Sequence, residues 1–218
     1  PRRRGDRRDR AWPRLKPLLQ GEPVFRNTAT AWGVVSRNFH WLIVVMIAVQ
    51  VPLGFYMNDV YKELIATKSS DYSLLLQVAR LHHTNGFLIL ILATLRLTWR
   101  VTNPTPDLPA GLATYQRNLA RLTHVFLYVL LFAFPLSGWA ALSAYEGEFP
   151  IFFFGWEHVP RIVPQAIDGS HAPYEFYKVI HKTCWRIGAV VLGLHVLGAL
   201  WHQVVAKDNV LRRMLRGA

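Results

Sequence analysis

Three stretches of this chain run without a charged side chain for longer than a globular domain tolerates: Asn38–Asn58 (21 residues), Leu122–Tyr145 (24) and Ile187–Ala206 (20). About 20 apolar residues in a helix cross the hydrocarbon core of a bilayer, so each run reads as a membrane span. A fourth, Leu81–Trp99, is broken only by Arg96 near its end, where a long side chain can snorkel to the headgroups. The expected fold is an all-α membrane protein, a four-transmembrane-helix bundle with spans at about 38–58, 81–99, 122–143 and 179–205. A soluble globular enzyme is excluded. So is a membrane β-barrel, since no span alternates residue by residue.

Charge outside the spans orients the bundle. Residues 1–37 carry ten Lys/Arg against three Asp/Glu, Arg96–Arg121 four against one, and Lys207–Ala218 four against one. Asn58–Arg80 balances three against three, and Ser143–Lys178 has two against five. The positive-inside rule places both termini and the loop between spans 2 and 3 in the cytoplasm. Residues 1–30 read as a basic leader without structure of its own, 31–206 as the membrane domain and 207–218 as a basic tail. The leader suits anionic lipid rather than nucleic acid, and it is not a signal peptide, because the apolar run begins late and is too long. Pro52 and Pro135 predict kinks near the outer ends of spans 1 and 3. The apolar run Phe149–Trp156 in the outer loop is expected to cap the bundle at the interface.

Cys184 is the one cysteine, so a disulfide within the chain, a Cys-x-x-Cys-His haem attachment and the usual zinc or iron–sulfur ligand sets are excluded. Nine histidines remain as plentiful metal ligands. His181 and His195 in span 4 are 14 residues apart. On a helix that is about 21 Å of rise and about 1400° of rotation, within about 40° of whole turns, so both imidazoles leave one face at two depths. His82, at the outer start of span 2, is level with His181, and His40, at the inner start of span 1, lies nearer the level of His195. A lone intramembrane histidine can simply bond two helices together. Two pairs at matched depths instead suit two bis-imidazole haems, one near each surface. With both axial positions filled, such haems serve electron transfer rather than oxygen binding. Gly86, Gly188 and Gly193 are expected to leave room for a flat macrocycle.

The remaining histidines divide by position. His83 points about 100° away from His82 and reads as a neighbour rather than a ligand. His124 at the inner surface stays open between replacing His40, bonding a propionate and lining a quinone pocket. His158 and His171 read as solvated loop residues. Arg80, Lys178 and Lys182 near the outer pair, and Arg37, Arg96 and Arg121 near the inner one, are candidate propionate partners as well as interfacial anchors.

These residues resemble the bacterial cytochrome b561 family, four-helix membrane cytochromes related to the cytochrome subunits of membrane-bound hydrogenases. The matching pieces are Arg37-Asn38-Phe39-His40-Trp41, His82-His83-Thr84-Asn85-Gly86 with Leu95-Arg96-Leu97, His124 to Tyr128 with Pro135-Leu136-Ser137-Gly138, His181 to His195, and His202 followed by Lys207-Asp208-Asn209. The resemblance covers roughly Arg37 to Leu211. It implies two non-covalent haem b groups, the outer held by His82 and His181 and the inner by His40 and His195. It also implies a multi-pass protein of the bacterial inner membrane. In one branch of the family electrons pass from periplasmic superoxide to ubiquinone, and His202 would then lie near a quinone. Other branches carry electrons for a partner dehydrogenase in a larger redox complex. The chain departs from that pattern in its long basic leader and its net negative outer loops, which repel superoxide unless Arg80, Lys178 and Lys182 make a local positive funnel, and which otherwise suit a basic periplasmic donor protein.

Overall fold

The computed structural model describes residues 24–108, 111–166 and 169–217. Four long helices dominate: α1 (Val34–Thr67), α2 (Ser73–Thr102), α3 (Thr114–Ala144) and α4 (Ala172–Trp201). All four are long and apolar enough to cross a membrane. Each continues past its uncharged window, because only the hydrocarbon excludes charge and the flanking turns lie among headgroups. α4 passes into a π-helical turn, His202–Ala206, and a short α5 (Val210–Arg216) follows.

The helices pack in chain order as two antiparallel hairpins, α1 with α2 and α3 with α4, joined through α2 on α3. α1 and α4 have no comparable backbone approach. Apolar side chains that a soluble protein would bury, such as Val190, Leu194, Leu197 and Val204, face outward. That is the inverted surface a lipid solvent permits. Pro52 and Pro135 lie inside α1 and α3. Each removes one backbone donor and frees a carbonyl four residues before it.

The inner end is tied by polar groups. Asn27 is buried: its Nδ2 donates to Pro104 O at 2.9 Å, and its Oδ1 accepts from Gly33 N at 2.9 Å and Ser36 Oγ at 2.7 Å. Ser36 Oγ in turn accepts from Trp99 Nε1 at 3.1 Å, joining the start of α1 to the end of α2. The leader expected over residues 1–30 lies outside the described residues as far as position 23. From Val24 on, the chain packs into this inner end rather than trailing free, because Asn27 satisfies three backbone and side-chain groups there. α5 folds back across the same end, where Arg37 Nη1 donates to Leu215 O at 3.0 Å and Trp41 Nε1 to Met214 O at 3.1 Å.

The outer loop caps the opposite end. Ile151 and Phe152 are buried, and a tight turn pairs Phe153 with Trp156. Phe152 stacks on His83 with centroids 5.8 Å apart. The Phe152 N–H donates to His83 Nδ1 at 3.4 Å, and the Phe154 N–H to Thr84 Oγ1 at 2.9 Å. Arg161 Nη1 donates to the carbonyls of Leu142, Ser143 and Tyr145, closing the C-terminal end of α3. Replacing Asn27 with Ala strands a buried N–H and a hydroxyl and is expected to cost about 2–3 kcal/mol. A fall in the thermal midpoint in detergent, with faster hydrogen exchange at residues 24–36, checks it.

Candidate functional site

Four imidazoles meet as two pairs between the hairpins. The rings of His82 on α2 and His181 on α4 have centroids 6.4 Å apart, and those of His40 on α1 and His195 on α4 are 6.2 Å apart. A metal held between two imidazole nitrogens at about 2 Å each requires ring centroids about 6.4 Å apart. Both pairs have that separation. Their interplanar angles, 73° and 70°, are open to ligands on a common axis, since each ring plane contains the metal–nitrogen line. Among the described residues no three His, Cys, Asp or Glu side chains gather as a bare-ion site. Pairs rather than triads suit an iron that arrives with four porphyrin nitrogens of its own, and the residues present fit haem.

Each outer ring sits in a notch on the first helix of a hairpin. A Cβ on Gly138 of α3 would lie 3.0 Å from the His181 ring, and one on Gly54 of α1 would lie 3.1 Å from the His82 ring. His181 Nδ1 is 3.0 Å from the carbonyl of Phe134, one turn before Gly138, and Ser137 Oγ donates to that same carbonyl at 2.8 Å. The carbonyl fixes the proton on Nδ1 and leaves Nε2 free for a metal. Sequence reasoning did not single out Gly54 or the Phe134 carbonyl, and met Gly138 only as the end of the matching Pro135–Gly138 piece, without its role against His181. The available signal was a proline with a glycine two or three residues later in each odd-numbered span. Of the glycines it did select, Gly188 and Gly193 face open space, with only Leu130 reaching 4.0 Å from a Cβ at Gly188, and Gly86 faces Gln50.

His124 joins the inner group with its ring 5.3 Å from that of His195, too close for a metal between them. Its Nδ1 lies 2.7 Å from Ala120 O in its own helix. His83 is buried under the cap and makes no close pair with His181. His202 at the start of the π-helical turn bonds Asp208 at 2.5 Å. His158 is exposed, while His171 pairs with Glu146 at 2.6 Å.

The cations are distributed unevenly. Arg96 and Arg100 both lie over the ring of Tyr128, at 5.4 and 5.5 Å, beside an inner cavity of about 20 Å³. Arg37 is turned to the Leu215 carbonyl, Arg80 pairs with Glu157 at 2.6 Å and lies over Phe152, and Lys178 pairs with Glu175 at 2.6 Å. Lys182 and Arg121 are exposed.

With that geometry in place, residues 31–217 match the profile of the family described as prokaryotic cytochrome b561. The chain belongs to this family. It is 33% identical over 192 residues to cytochrome b561 homolog 2 of Escherichia coli, covering 88% of this chain and 94% of that protein. It is 28% identical over 176 residues to cytochrome b561 homolog 1 of the same organism, covering 81% and 92%. It is also 30% identical over 135 residues to a probable superoxide oxidase, CybB, of Yersinia pestis, covering 62% and 73%. As a cytochrome b561 the chain is a multi-pass bacterial inner-membrane protein that binds haem b and transfers electrons. Gly138→Val is expected to push the His181 ring away from His82 and to lower the haem content per chain, read by pyridine haemochrome quantitation.

Proposed function

We propose that this cytochrome b561 holds two haem b groups and relays electrons between a periplasmic donor and the membrane quinone pool. The observation that carries the reading is the recurrence of one imidazole separation, 6.4 Å and 6.2 Å, at two levels of one bundle. When bound, haem b supplies reversible one-electron chemistry. His82 and His181 would hold the outer group and His40 and His195 the inner. Phe134 O orients His181 through Nδ1, and Gly54 and Gly138 let the outer rings lie against the helix backbones. Arg96 is the cation best placed for an inner propionate, with Arg100 beside it. Arg37, Arg80 and Lys182 are weaker candidates, the first two because other groups already engage them. His124 and His202 at the inner end are where a quinone, ubiquinone in the branch resembled, would meet the chain. Asp208 there holds the His202 ring by its Nδ1.

The donor divides into two readings. Likeness to a probable superoxide oxidase supports superoxide as donor, with this chain acting as a superoxide:ubiquinone oxidoreductase. Pairing of Arg80 with Glu157 and of Lys178 with Glu175 weakens the positive funnel that Arg80, Lys178 and Lys182 would offer an anion, leaving the exposed Lys182. That favours a basic periplasmic donor protein, or a place as the electron-transfer subunit of a larger redox complex. Stopped-flow mixing of oxidised protein with superoxide separates them: rapid reduction supports superoxide, and slow reduction with co-purification of a redox partner supports the second. His181→Ala is expected to lose the outer haem and His195→Ala the inner, each removing about half the absorbance because the pairs share no ligand. Loss of both haems from either change overturns separate sites.

A further inference from the structure

Gln50 stands in the uncharged stretch of α1, ten residues and about 15 Å of helix from His40, where an amide has no reason to be unless it is bonded. Its Nε2 donates to the backbone carbonyl of His82 at 3.0 Å. The same nitrogen lies 3.2 Å from Nδ1 and 3.3 Å from Nε2 of the His82 ring. Its Oε1 accepts from Asn85 Nδ2 at 2.7 Å, and that nitrogen also donates to Met46 O at 3.0 Å. Turning either amide over would set oxygen against oxygen. The network therefore has one polarity, with an N–H end against the imidazole. Gly54, one turn further along α1, completes the notch.

The two rings of the outer pair thus meet opposite dipoles. His181 offers Nδ1 to a carbonyl oxygen, which strengthens an imidazole as a donor and favours oxidised iron. His82 faces the positive end of an amide, which favours reduced iron by the same electrostatics in a low-dielectric interior.

We propose that Gln50 is a positioning residue for His82, holding that imidazole in its α1 notch and raising the reduction potential of the outer site through the amide N–H set against the ring. The inference rests on the reading of His82 and His181 as iron ligands. Gln50→Leu in the full chain, purified with haem, tests it by redox titration of the haem absorption. One of two waves is expected to move to more negative potential while the other stays, and the moving wave is the one retained in His195→Ala. Asn85→Ala, which releases the Gln50 carbonyl, moves the same wave in the same direction by less. Unmoved waves in Gln50→Leu, or equal shifts of both, overturn the proposal. Should Gln50→Leu lose the outer haem, Asn85→Ala decides, an unmoved wave there reducing Gln50 to packing. Two haems per wild-type chain with unmoved waves overturn the role of Gln50 alone. A wild-type chain without haem at the His82–His181 pair overturns it together with the reading beneath it.

Discussion

An imidazole inside hydrocarbon is costly unless its polar atoms are answered from within the bundle, and that requirement shapes the outer level between the two hairpins. His40 Nδ1, at the inner level, is instead buried without a protein partner among the described residues. At the outer level neither imidazole finds its answer on its own helix. His181 finds it on α3 and His82 on α1, each beside a glycine that lets the ring approach the backbone. Lipid offers no hydrophobic drive between helices, so close packing and such polar contacts hold the hairpins together.

The two hairpins repeat one arrangement with different chemistry. In each, the first helix bears a proline, then a glycine, and the second lays a histidine over that glycine. On α3 the polar partner is a backbone carbonyl that any sequence could offer. On α1 it is the side chain of Gln50, which is open to substitution. A shared frame thereby carries one fixed and one tunable contact.

Spans and imidazole pairs were legible because lipid imposes a length and helices impose a period: His181 and His195 share a face by arithmetic alone. The notches were not. Which residue of α1 lies opposite His82 depends on the register between helices, and no spacing within a single span encodes it, so Gln50, Gly54 and the part Gly138 plays stayed invisible. The protein partners of the arginines were hidden for a related reason. Arg37 and Arg80 lie at the levels expected, but their nearest partners, Leu215 and Glu157, are 178 and 77 residues away in sequence and reach them only in the folded chain. The cap was readable as an apolar stretch, though not its seat on His83 and Thr84.

α4 supplies one histidine to each pair, so a single rigid rod works as a ruler between the two levels. Bilayers differ in thickness, and helices answer by tilting or by letting the lipid deform. Such adjustments carry both marks of the ruler together. The spacing between the two imidazole pairs is thus set by the rise of one hydrogen-bonded helix and changes little with the membrane around it.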